Sequence, residues 1–439
     1  MIFCSGNTGY ATFEPTPWIG LSVADIVSPG FQWCLGFSLS LTIHGLFTKH
    51  ATKAALINKI VLRAFLLLVL GLSLEGGLGR GRDLNFLGPL QRLSIVYLVI
   101  GATSIAVPKL IGFHGATDCA GGTRPRVYTS SSHRNLNSRA VAERPRVAPA
   151  PAIMGPPPLM RIDRAKKPNP CSMRCHDFLP YLLEWLVIGL IVLLYLATVM
   201  FLPVPGCPHG YQGPGGTHGD FGAFSRGSCS GATWPEHCCT GGAVGYADWL
   251  LFGSHTGAAV VAGPGSMYGA GPLSRFSLLG TAPAVLVAYI GMQSGKTLLH
   301  FKPEGDGQVV ARWLLWAGLC GGGAAALHLT HTMPIVPALN NLSFVLAAAC
   351  VWQLLMCGAY LLMDVLQFKG GFAFLRYMGA NSLATFVAFS FVPSLAVWQG
   401  GGDDLQPSHT RAVLWQCANV ACFAALGWAW WLHRFFPRL

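Results

Sequence analysis

Apolar stretches of about twenty residues recur along the chain, at 23–47, 60–78, 90–111, 182–204, 276–299, 309–329, 335–363, 372–397 and 413–431. At 1.5 Å rise per residue a helix of that length crosses the roughly 30 Å hydrocarbon layer of a bilayer. The pattern therefore predicts an all-α multi-pass membrane protein with about nine transmembrane helices. Two segments break it. Residues 115–170 are rich in Arg, Ser, Pro and Ala, and 205–271 in Gly, Cys and His. Neither has a helical period, and both are full of breakers.

Composition agrees with the pattern. The 439 residues are 52% apolar and only 10% charged, where soluble domains carry about 25% charged residues. The net charge of +12 does not point to nucleic acid, because the excess lies in the 115–170 segment and in short loops. Lys49, His50, Lys53 and Lys59 join the first two spans; Lys109 follows the third; Lys296, Lys302 and Arg312 join the fifth and sixth; Lys369 and Arg376 join the seventh and eighth; Arg434 and Arg438 close the chain. All of these fall on one side if every loop alternates, the distribution expected of cytosolic loops. Arg80 and Arg82 are outvoted. The plan is then a luminal segment 1–22, transmembrane helices 1–3 in 23–114, a disordered basic cytosolic linker 115–170, helix 4 in 171–204, a luminal loop 205–271 and helices 5–9 in 272–439. The linker cannot bury enough apolar surface to fold and reads as a spacer beside anionic lipid headgroups. The first fifteen residues show no apolar core of a signal peptide.

Ionisable groups inside spans are costly and face the interior or water. Asp25 sits at the luminal mouth of the first span and Glu75 near the luminal end of the second. Arg92 lies one turn into the third, where it can pair with Asp25 or bind an anion. Arg63 and Glu184 lie near cytosolic ends and can reach the interface. Of the histidines, His209, His218, His237 and His255 fall in the luminal loop, and His328-x-x-His331 closes the sixth span. Two helical histidines without a third ligand are weak grounds for a metal site, so no metal is expected. His44 reads as a packing residue. Cys34, Cys320, Cys350, Cys357, Cys417 and Cys422 fall within spans as small apolar residues. Cys207, Cys229, Cys238 and Cys239 face the lumen, where a disulfide of open connectivity is permitted.

Four blocks carry a resemblance in order and spacing: PWIGLSVADIV; GPLQRLSIVYLV; LPVPGCPHGYQGPGG with HGDFG and CCTGGAVGYAD; and LLGT with YIGMQSGK. Weaker echoes follow in MGANSL and the basic tail. Together they resemble the heparan-alpha-glucosaminide N-acetyltransferase family of membrane enzymes. The resemblance implies acetyl transfer from acetyl-CoA, as co-substrate, to a luminal sugar amine such as terminal glucosamine of heparan sulfate. It also implies a lysosomal, vacuolar or other endomembrane location, an amino-sugar acceptor beside the membrane lipids, and room for a homo-oligomer. The family's full fold has two further N-terminal helices, so this chain reads as an N-terminally short relative, by real loss or by an incomplete gene model.

The resemblance also marks what has changed. The family's catalytic histidine, three residues before the Trp of the first block, falls on Pro15, and the Asn after that Trp on Ile19. The stretch Asp-Pro-Glu-Gly before LLGT is Ser274-Arg275-Phe276-Ser277, and Asn-Lys-Asn-Leu-Trp is Val336-Pro337-Ala338-Leu339-Asn340. Gly-His-Glu is Ala388-Phe389-Ser390, Arg-Ile-Pro is Asn85-Phe86-Leu87, and Arg after GYID is Trp249. Asp220 and Asp248 keep family positions. If the chain turns over, a replacement base is needed, and the candidates are Asp25, Arg92, Asp248 and His218. The alternatives are an inactive relative that binds or assembles, and a solute transporter, which would be expected to show an internal repeat that is not visible here.

Overall fold

A computed structural model describes Thr16 and residues 19–48, 52–75, Phe86, 88–107, 179–204, Gly210, 241–252, 276–368, Tyr377, 379–391 and 409–433. Among these residues every regular element is helical and there is no strand. The helices are α1 (Val23–Phe47), α2 (Lys53–Glu75), α3 (Pro89–Ala106), α4 (Leu182–Phe201), α5 (Gly242–Phe252), α6 (Thr281–Phe301), α7 (Asp306–Leu329), α8 (Leu342–Tyr360), α9 (Ser382–Phe391) and α10 (His409–Leu432). Among the described residues six stretches are long and apolar enough to cross a membrane: α1, α2, α3, α4, α7, and α8 with the π turn Leu361–Val365 that prolongs it. The linker 115–170, most of the loop 205–271, Pro15, His218 and the four cysteines expected in the lumen lie outside the described residues.

Several boundaries differ from the apolar pattern, each for a local reason. α3 stops at Ala106 and α4 at Phe201 rather than at 111 and 204, because Val107 and Leu202 are extended. Each precedes a proline, whose ring disfavours the helical conformation of the residue before it. The seventh span starts at Leu342 rather than 335. Pro334 and Pro337 break the approach, Pro337–Leu339 form one 3-10 turn, and Asn341 caps the helix by accepting the Phe344 N–H. α2 starts earlier than its apolar stretch, because about two further turns, Lys53 to Lys59, precede it, with Leu56 already packed in the core between the two lysines. α5 arises inside a segment read as irregular.

α6 is the axle of the bundle. Its 21 residues are long enough to span, at about 31 Å, yet it is less apolar than its neighbours. Residues on all its sides are buried, Gln293, Ser294 and Thr297 included. A helix jacketed by protein need not be apolar all round. Its closest neighbour is α1, where a Cβ at Gly36 would lie 1.7 Å from the Ala288 carbonyl oxygen and one at Gly291 2.1 Å from that of Trp33. Small residues let two membrane helices touch backbone to backbone.

Paired contacts give the helix directions. Trp33 meets Gly291 and Ser40 meets Gly295, so α1 and α6 are parallel. Ala64 accepts from Ser94, while Gly71 lies on Leu90 and Gly101 on Ile60, so α2 and α3 are antiparallel. Arg92 reaches Ser277, just ahead of α6. Glu184 near the start of α4 meets Lys296 near the end of α6. Asp306 meets Tyr360 while Gly321 meets Cys350 and Gly323 Leu346, so α7 and α8 are antiparallel. Phe301 at the end of α6 packs with Tyr360 at the end of α8, so those two are parallel. Hence α1, α3, α6 and α8 run one way and α2, α4 and α7 the other. One end of the bundle carries Lys53, Lys59, Lys296, Lys302 and Arg312, the basic end. The other, the loop end, carries Arg92, α5 and the turns 276–280 and 330–341.

Candidate functional site

The buried polar groups of the loop end converge on the turn that leads into α6. Gly88 and Pro89 start α3, and Arg92 follows within the first turn, its backbone N–H bonded to the Gly88 carbonyl at 3.0 Å. The Arg92 side chain is 4% exposed. It donates from Nη2 to the Ser277 carbonyl at 3.3 Å and lies 5.2 Å from the centre of the Phe276 ring. Ser277 Oγ in turn accepts the Gly280 N–H at 2.8 Å, and Thr281 Oγ1 donates to the Ser277 carbonyl at 3.1 Å.

Two more segments grip the same turn. Asp248, on α5, is fully buried, and its Oδ1 accepts the Leu278 N–H at 2.9 Å. Asn340, held in the left-handed region at φ 51, donates from Nδ2 to the Gly280 carbonyl at 2.6 Å. Gly280 itself has no room for a side chain: a Cβ there would lie 2.6 Å from Ser277 Oγ and 3.0 Å from the Leu339 carbonyl. Segments distant in the chain thus meet at five residues, 276–280.

Arg92 and Asp248 share this knot without closing an ion pair. The ion pairs among the described residues are Lys296–Glu184 and Lys302–Asp364, and Asp248 Oδ2 accepts no hydrogen bond there. Burial pushes the Asp248 carboxyl up to about 7, against the opposing pull of the Leu278 N–H and the Arg92 charge. A carboxyl that exchanges its proton near neutrality is suited to general acid–base chemistry.

The other predicted candidates are placed differently. Asp25 is a structural carboxylate: Oδ2 accepts from Thr16 N at 3.0 Å, Thr16 Oγ1 at 2.8 Å, Ser22 Oγ at 2.9 Å and Ser22 N at 3.3 Å. Ser22 Oγ accepts the Asp25 N–H in return, completing a capping box on α1. The chain brings Arg92 to Ser277 and Asp248, not to Asp25. His328 lies in the last turn of α7, its Nδ1 accepting the Ile335 N–H at 3.4 Å, while His331 has turned to φ 55 beyond the helix end. The two do not continue one helical face. Among the described residues no group of three His, Cys, Asp or Glu is arranged to hold a metal.

Sequence reasoning missed a cluster at the basic end. Glu184 does not reach water; it is 1% exposed, and Oε2 accepts from Lys296 Nζ and from Tyr289 Oη at 3.2 Å. Gln293 donates to Tyr289 Oη, and the Lys296 ammonium lies 4.0 Å from the Tyr181 ring centre. The signal was present in the spacing: Tyr289, Gln293 and Lys296 stand at i, i+4 and i+7, a polar stripe on one face of α6.

Among curated proteins, the chain is 27% identical over 454 aligned residues to the heparan-alpha-glucosaminide N-acetyltransferase of Homo sapiens. It is 27% identical over 457 to that of Mus musculus. Each alignment covers 100% of this chain and 58% of the relative, so the chain spans just over half the length of the curated proteins it matches. No family model matches it.

Proposed function

We propose that this chain is a membrane-embedded acetyltransferase that moves an acetyl group from acetyl-CoA to a luminal amino sugar such as terminal glucosamine of heparan sulfate, in an endomembrane. The observation that carries this reading is similarity to the acetyltransferase along the full length of the chain. In such a transfer the amine nitrogen forms a bond to the acetyl carbon, the carbon–sulfur bond breaks, and the thiolate of CoA leaves while a base takes the amine proton. Asp248 is the described group best suited to that role by its proton affinity, with Arg92 supplying positive charge at the same turn. Acetyl-CoA, a polyanion, would be drawn to the basic end, where Lys53, Lys59 and Lys302 are exposed. For Asp248 to serve as base, its acetyl group must reach the loop-end turn, about 30 Å along α6.

One observation favours a second reading, an inactive relative that binds or assembles: the position of the family's histidine is Pro15, which offers no base. Reconstituted protein given labelled acetyl-CoA and glucosamine separates the two. On the acetyltransferase reading the parent chain labels glucosamine, and Asp248→Asn lowers the rate by about two to four orders of magnitude, the usual worth of a general base. A silent parent with an active P15H/I19N variant would establish the inactive relative instead.

A further inference from the structure

The loop-end knot has a conformational property separate from catalysis. α5 is held to the bundle by Val244 in the apolar cluster with Tyr195, Val199, Val336 and Leu339, by Phe252 stacked on Phe86, and by Asp248 on the Leu278 N–H. The Asp248 contact is polar, fully buried, and half satisfied, since Oδ2 accepts nothing among the described residues. With a proton on it, the carboxyl still accepts the Leu278 N–H through Oδ1 and carries no charge to bury. Without the proton, a charged oxygen stays out of water with no hydrogen bond, a costly state. We propose that the α5–α6 junction is a proton-controlled clasp: neutral Asp248 keeps α5 seated on the turn 276–280, and ionisation of Asp248 releases it.

The surroundings decide the sign. From α3, Arg92 faces the carboxyl and favours its charged form; it is the one charged group among the described residues that acts on Asp248. The turn contributes Phe276, Ser277 and Leu278, and the 337–341 segment Asn340 and Asn341, none of which titrates. α4 brings the Tyr195 phenol, and α5 itself carries Tyr246. Burial outweighs Arg92, so the seated carboxyl sits at about 7, against an ordinary 3.8. A carboxyl raised in the seated state stabilises that state fully below its ordinary value and loses the contribution as pH rises through about 7. The clasp is closed in acid and opens toward neutrality. Opening also uncovers Asp248 as it ionises, but the clasp stands whether or not the chain transfers acetyl groups.

Amide hydrogen exchange of the full chain in nanodiscs at pH 5, 6, 7 and 8, corrected for the intrinsic effect of pH, tests it. Peptides covering 242–252 and 276–282 should lose protection by up to about tenfold per pH unit between pH 5 and 7 and level off above. Peptides from α8, which carries no Asp, Glu, Lys, Arg or His, should stay flat. Asp248→Asn should keep the acid-level protection at every pH. A flat wild-type profile, a parallel loss across α8, or a pH dependence that survives Asp248→Asn would each overturn the clasp. The wild-type profile decides even if the variant folds poorly, and none of these readouts involves turnover.

Discussion

The two ends of the bundle each bury a carboxyl near a cation, and they resolve it in opposite ways. At the basic end Glu184 and Lys296 are in direct contact, Tyr289 donates to the same oxygen, and Tyr181 covers the ammonium. Charge there is already answered by charge. At the loop end Arg92 and Asp248 act on each other across a gap, each spending a hydrogen bond on the backbone of one turn. A closed pair is a fastener between α4 and α6. An open pair leaves a carboxyl whose protonation state is still free to change, which is what both a base and a clasp require.

The comparison breaks most sharply at the closed pair. Removing one partner leaves the other buried and uncompensated, so Glu184→Ala and Lys296→Met should each destabilise the bundle by about 3–5 kcal/mol. The double change E184M/K296M should recover much of that loss, because no buried charge remains. Thermal unfolding in detergent measures all three. If each single variant melts with the parent, the basic end is no more fastened than the loop end and the contrast fails.

A smaller effect is expected where the two ends share a frame. The α1–α6 seam joins them, and Gly291→Ala puts a methyl 2.1 Å from the Trp33 carbonyl oxygen, a backbone atom. Relieving it must separate the helices, at about 1–3 kcal/mol or more. Gly318→Ala on α7, where a Cβ meets nothing within 4 Å, is the control and should melt with the parent. Equal melting of both variants would show that the seam is not close-packed.

How much of this could be read from the chain depends on which force set each feature. The first span matches to the residue because Ser22 and Asp25 end its apolar run with a capping box. The ends of α3 and α4 were legible too, had Pro108 and Pro203 outweighed the apolar residues around them. α6 was found as a span, but its place at the centre was not, since apolar content cannot distinguish a jacketed helix from a lipid-facing one. Glu184 was misread because its depth depends on Lys296, which comes more than a hundred residues later. The meeting of Arg92 with Asp248 rests on tertiary packing alone, and no spacing in the sequence encodes it. The resemblance supplied Asp248 as a kept position; only the turn 276–280 explains what it holds.

The finest test uses a second carboxylate at the loop end. Asp25 lies in the same layer as Asp248, yet four hydrogen bonds converge on its Oδ2 and none of them comes from a cation. Like Glu184 Oε2, its Oδ2 is met by several donors, here neutral ones instead of an ammonium, and so it belongs with the fasteners. Asp25→Ala should cost about 0.5–2 kcal/mol, the usual loss for a helix cap, and Ser22→Ala a similar amount, since the two reciprocate. The double variant should cost less than the sum, because either change alone already breaks the box. Neither should alter the pH profile of exchange at 242–252. Should Asp25→Ala shift that profile, the proton control of α5 would extend to the mouth of α1, and closed versus open pairing would no longer separate the two kinds of carboxyl.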